Sequence, residues 1–157
     1  MPTSFIGLLR YCTALGFAAL ALPATANCAI SHDTASNEVR TVYKENNGYE
    51  FKNYEAVCSK LLKANAKIVI QGSYGVLHNR SYGWVSIAVA DKASEHFIVT
   101  SYGSYITQMN DFASDDMARK QLWIAINDGL DKWDSLDRAL AELNQARRAI
   151  RKTGARQ

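Results

Sequence analysis

Cys58, His78 and His96 are groups of the type a thiol hydrolase needs, because a thiolate beside an imidazole can attack a carbonyl carbon. Such a nucleophile belongs at a helix N-terminus, where the dipole lowers its pKa. Cys58 falls instead in the middle of a helical apolar stripe, and Cys28 is available to pair with it. In an oxidising compartment two cysteines most simply form a bridge. Closing a loop of about 30 residues stabilises a domain by about 3–4 kcal/mol. A Cys28–Cys58 disulfide is therefore expected, with a small cell-envelope hydrolase using Cys58 and His78 or His96 as the alternative.

Other catalytic patterns are weaker. Gly72-Ser73-Tyr74-Gly75 misses the spacing of a G-x-S-x-G nucleophile elbow. His32 and Asp33 stand apart from His78 and His96, while Asp128, Asp131 and Asp134 do not match a calcium loop. No glycine-rich phosphate loop joins a strand to a helix. Recognition without a metal, a cofactor or catalysis is the chemistry expected.

The recognition candidates come from a tripeptide that occurs three times: Ser73-Tyr74-Gly75, Ser81-Tyr82-Gly83 and Ser101-Tyr102-Gly103. Trp84 and Tyr105 lie beside two of these copies. Tyrosine and tryptophan offer large amphipathic area with little side-chain entropy to lose, and Ser and Gly add adaptable contacts. Tyr74, Tyr82, Trp84, Tyr102 and Tyr105 are the candidate binding residues. The competing account is packing, in which the glycines let a C-terminal helix lie close to a sheet. A second candidate is the basic tail Arg147, Arg148, Arg151, Lys152 and Arg156. It could complement a helix dipole, touch anionic lipid peripherally or meet an acidic partner.

The elements that must carry these residues follow from periodicity. Val39, Val42 and Tyr43 predict a helix over 37–45, ahead of the turn Asn46-Asn47-Gly48. Phe51, Tyr54, Val57, Leu61 and Leu62 predict a second helix, with Asn65 as its stop. The period then becomes two, predicting strands over 67–77, 82–91 and 96–106 with short links, an antiparallel meander. From Ser114 to Lys152 the pattern is helical again. An unbroken helix of that span approaches about 57 Å, too long for a domain of this size, so a break is expected near Gly129 or at Asp134-Ser135. The fold class expected is α+β: N-terminal helices, a three-stranded meander, then one or two long C-terminal helices packed on one sheet face.

The N-terminus supplies the context. Arg10, the apolar run Tyr11–Leu22, Pro23 and Ala24-Thr25-Ala26 match a secretory leader with a small-residue cleavage site. Residues 1–26 are read as that signal peptide and 27–157 as one small domain, periplasmic or secreted. The 18 Lys and Arg, less Arg10 of the leader, nearly balance the 15 Asp and Glu, which argues against nucleic acid as a partner. The expectation is an exported binding protein of the bacterial envelope, an inhibitor, immunity-type or accessory factor acting on a protein partner.

Overall fold

A computed structural model describes residues 28–93 and 98–154; the expected leader, His96 and Arg156 lie outside them. The elements run β1 (His32–Asp33), α1 (Asn37–Glu45), α2 (Tyr54–Lys63), β2 (Ala66–Leu77), β3 (Arg80–Asp91), β4 (Ser104–Asn110), α3 (Asp115–Asp131) and α4 (Leu136–Gly154). The fold is α+β, with a four-stranded sheet in the order β1-β2-β3-β4.

The expected meander is present as β2, β3 and β4, but the sheet is mixed, because β1 joins β2 in parallel through His32↔Ile68 and Asp33↔Val69. A strand of two residues is too short to show an alternating pattern. It is held by the Ile68 amide donating to Ser31 at 3.0 Å and by Lys67 paired with Asp33 at 2.5 Å.

The third strand also departs from expectation, since regular pairing covers Ser104–Asn110 rather than 96–106. Upstream, Val99 makes an isolated antiparallel bridge with Ala90. Between the two stretches Glu142 of α4 accepts the amide of Ser101 at 2.8 Å and its hydroxyl at 2.9 Å, and the amide of Tyr102 at 3.4 Å. Those bonds hold 101–103 out of the ladder and shift the register by two residues between the Ala90↔Val99 and Ile87↔Ser104 pairs. No residue of β4 is fully buried, so its alternation was faint in the sequence.

Local chemistry explains the helix bounds. Ser36 and Ser114 cap α1 and α3, accepting the amides of Val39 at 3.5 Å and Met117 at 3.1 Å. Asn65, at φ 46°, turns the chain from α2 into β2 in a left-handed conformation that asparagine tolerates. The long helical region breaks at 132–135, close to the expected Asp134-Ser135; Gly129 stays inside α3, against Ile87. Trp133 fills the corner, nearly buried, and its ring N–H donates to Ser135 at 3.1 Å.

All four helices take part in one layer on one side of the sheet, a two-layer arrangement. Val85, Ile87 and Val89 of β3, with Ile68 and Ile70 of β2, meet Leu122, Ala125, Ile126 and Leu130 of α3. The closest approach is at Gly83, where a β-carbon would lie 2.1 Å from the backbone nitrogen of Leu122. Gly83→Ala is therefore expected to push α3 off the sheet and destabilise the domain by about 1–3 kcal/mol in chemical unfolding. An unchanged midpoint would show that α3 does not rest on this strand.

Candidate functional site on the open sheet face

The side of the sheet away from the helices is set by parity. On β3 the odd residues from Ser81 to Val89 are buried, while Tyr82, Trp84, Ser86 and Ala88 point the other way and remain partly exposed. Register places Ser73, Gly75 and Leu77 of β2 and Tyr105, Thr107 and Met109 of β4 on that same side. Trp84 and Tyr105 sit diagonally, with ring centroids 6.1 Å apart and planes 29° from parallel. The Tyr82 ring lies over its cross-strand partner Gly75, whose missing side chain leaves room: a β-carbon there would come within 3.0 Å of the phenol oxygen.

Of the five candidate aromatics, the structure brings three together: Tyr82, Trp84 and Tyr105. Tyr74 does not join them. It pairs with Gly83 on the helix side and packs against the core, because an even position on β2 faces the helices. Tyr102 is exposed but sits in the 101–103 break outside any strand. Met109, 58% exposed and two residues along from Thr107, belongs to the face and was not singled out by sequence reasoning. Its signal, alternation with Tyr105 and Thr107, lay beyond the expected strand end.

The serines of the three tripeptides have structural partners. Ser73 bonds Glu38 of α1 at 3.3 Å, and Ser101 is held by Glu142. Ser81, fully buried, contacts the carbonyls of Phe112 and Ser114 at 2.7 and 2.9 Å and accepts the Ser114 amide at 3.0 Å, tying the β4–α3 connection to β3. The repeat thus divides by position: its serines and Gly83 build the fold, while Tyr82 faces outward on the open side of the sheet.

The cysteine candidates resolve differently. Cys28 and Cys58 are joined in a disulfide, with α-carbons 6.0 Å apart. Cys58 is buried, and Tyr54 fastens the same segment by donating to the Cys28 carbonyl at 3.2 Å and accepting the Ile30 amide at 3.3 Å. A disulfide sulfur is no thiolate, so Cys58 as placed lacks the nucleophile of the alternative reading. His78 stands in the two-residue β2–β3 turn at φ 56°, at the far end of β2 from Cys58. The strand between them spans on the order of 35 Å.

The basic tail divides too. Arg147 turns inward: its guanidinium donates to Asp91 at 2.6 Å and to the carbonyls of Ala64 at 2.7 Å and Asn65 at 2.8 Å. That hydrogen bond holds the Asp91 carboxyl below its usual range, outweighing the upward push of burial. Arg148, Arg151 and Lys152 are exposed along the projecting end of α4. A further cluster, His32, Tyr43 and Tyr49, has ring centroids 4.5–5.4 Å apart beside α1. Burial lowers the His32 pKa and raises that of Tyr49 well above its ordinary value, and Tyr49 packs against the main core.

Among the described residues no group of three or more His, Cys, Asp or Glu is arranged to hold a metal, and no helix is long and apolar enough to cross a membrane. No protein-family model, curated protein or solved structure matches the chain.

Proposed function

We propose that the chain is an exported, disulfide-stapled binding protein of the bacterial envelope, without catalysis, that holds a protein partner against the open face of its sheet. The observation that carries this reading is the set Tyr82, Trp84 and Tyr105 on a rigid sheet face that none of the described helices covers. Tyrosine and tryptophan anchors of this kind dominate binding energy at protein interfaces. Ser86 and Thr107 around them supply hydrogen-bonding groups of the sort found at an interface rim. The Cys28–Cys58 bridge supports an oxidising compartment, periplasmic or extracellular, as does the secretory leader read in residues 1–26. An inhibitor, an immunity-type antagonist or an accessory factor would each use such a face.

A photo-crosslinking amino acid placed at Ser86 in the exported protein tests the reading, with one at helix-side Asp128 as control. The Ser86 probe is expected to trap a defined protein that the Asp128 probe does not. Trp84→Ala is then expected to weaken binding of that purified partner by about 30-fold or more, the scale of an interface anchor. Tyr74→Phe, on the other side of the sheet, should leave the affinity unchanged. If Trp84→Ala and Tyr82→Ala instead unfold the domain, or if both bind the partner as tightly as the native chain, the open face is not the site.

A further inference from the structure

Two dipeptides in the chain place an Asn or Asp side chain directly before glycine, Asn47-Gly48 and Asp128-Gly129. Glycine has no β-carbon to restrict its backbone, so at either pair the glycine nitrogen can close a five-membered imide ring onto the preceding side chain. The fold treats the two pairs differently. Asp128-Gly129 sits inside α3, where Gly129 is buried against Ile87 and its N–H belongs to the helix ladder. The Asp128 carboxylate is held by Lys132 and by Gln108, each at 2.9 Å. Ring closure there would require a packed helix to open, and an ionised carboxylate is a poor electrophile.

Asn47-Gly48 lies just past the end of α1. Asn47 is exposed, at φ 56°, and its side-chain amide has no hydrogen-bond partner among the described residues. Its own N–H donates to the Lys44 carbonyl at 3.2 Å, and that of Gly48, at φ 120°, donates to the Tyr43 carbonyl at 3.1 Å, the bonding of a Schellman cap. The surroundings of Gly48 are open: the nearest atom to a β-carbon built there, the Tyr43 hydroxyl oxygen, is 4.0 Å away. A single bond at a helix end holds the attacking nitrogen, and end turns open far more often than helix interiors.

We propose that Asn47 is a site of spontaneous deamidation and that the fold directs this chemistry to it and away from Asp128. In the opened turn the Gly48 nitrogen gives its proton to a solvent base and attacks the side-chain carbonyl carbon of Asn47. An N–C bond forms, the bond to the side-chain nitrogen breaks, and that nitrogen takes a proton from water and leaves as ammonia. Water then opens the imide at either carbonyl, giving aspartate or isoaspartate. The balance is one water consumed and one ammonia released, with no oxidant or reductant. The product carries a new carboxylate at the negative end of the α1 dipole, two residues after Glu45. In isoaspartate the main chain is longer by one methylene, which breaks the geometry of the Gly48 bond to Tyr43. Tyr43 packs against His32 and Tyr49 with ring centroids at 4.5 and 4.8 Å, so the modification loosens that cluster. The open sheet face lies on the other side of the sheet, and the inference does not depend on the partner reading above.

Long incubation of the exported, oxidised chain at mildly alkaline pH, followed by peptide mapping, is the test. The peptide holding Asn47 is expected to gain the mass that separates OH from NH2, and its isoaspartate form to be methylated by an isoaspartate-specific carboxyl methyltransferase. The chain unfolded in urea should react faster at Asn47 and should also form isoaspartate at Asp128, which the folded chain should not. Asn47→Gly keeps a residue suited to the left-handed cap but has no side chain to cyclise, so it should lose the modification outright. A folded chain that keeps Asn47 intact over the period in which the unfolded chain converts it overturns the proposal. So does isoaspartate appearing in the folded chain as fast at Asp128 as at Asn47, because the fold then makes no distinction between them.

Discussion

Arg147→Ala is expected to destabilise the domain by about 3–5 kcal/mol, the cost of leaving one member of a buried ion pair without its partner. The Asp91 side chain is 5% exposed and that of Arg147 17%. One guanidinium serves three acceptors: the Asp91 carboxylate and the carbonyls of Ala64 and Asn65. The two carbonyls follow the last turn of α2, where a helix leaves its C=O groups without internal partners. Arg147 therefore ties α4 to the end of α2 and to the end of β3, and its loss unpins three elements at once. Arg147→Lys, with a compact ammonium in place of a planar fork, cannot reach all three acceptors and should fall between native and alanine. Urea unfolding monitored by tryptophan fluorescence measures each step. A change under 1 kcal/mol for the alanine variant would reduce the contact to an ordinary surface pair.

Acid sensitivity follows from the same pair. The folded state holds the Asp91 carboxyl below its unfolded value of about 3.9. A group with a depressed folded pKa contributes stability that is fully present above the unfolded pKa and is lost as pH falls through the folded one. The stability difference between the native chain and Arg147→Ala should therefore be complete near neutrality. It should shrink once acidification below about pH 4 protonates Asp91. A difference that stays constant down to strongly acidic pH would mean that Asp91 does not carry the interaction.

Removing the Cys28–Cys58 bridge is expected to cost about 3–4 kcal/mol, from the denatured-chain entropy released when a 30-residue separation is no longer closed. Cys28 lies at the start of the described chain, so the bridge, with the Tyr54 hydrogen bonds, fastens the segment leading into β1. The paired Cys28→Ala, Cys58→Ala variant should unfold at lower urea and lose β1 first, visible as faster hydrogen exchange at Ile68, whose amide bonds Ser31. Alkylation of the oxidised native chain should leave both cysteines unmodified until a reductant is added. Rapid alkylation of Cys58 without reductant would return the nucleophile that the hydrolase alternative requires.

The readable part of the fold was the part written in repeating patterns. Val39 and Val42, the Val57–Leu61 stripe, and the alternation through β2 and β3 each belong to a segment long enough to show its own period. That the C-terminal helical region breaks followed from length, since a straight helix of that span outgrows the domain, while its place, Gly129 or Asp134-Ser135, was left open. The bridge followed from counting cysteines. Three features were not readable because each depends on a residue distant in the chain. The break before β4 is made by Glu142, about forty residues downstream. The inward turn of Arg147 needs Asp91, Ala64 and Asn65 in one place. The short parallel strand β1 exists only where β2 offers it an edge.

The candidate site divides along the same line. Sequence by itself determined that aromatic side chains recur in β-forming segments and that no metal or phosphate motif is spelled out, and it favoured a Cys28–Cys58 bridge over a thiol paired with His78 or His96. Local period and composition suffice for such statements. Which tyrosines share a face was decided only by the tertiary structure. Tyr74 and Tyr82 sit in identical tripeptides, yet the antiparallel register places Tyr74 opposite Gly83 under the helices and Tyr82 opposite Gly75 in the open. The physical reason is that a strand alternates its side chains with period two, so a face is a property of the pairing between strands and not of either strand alone.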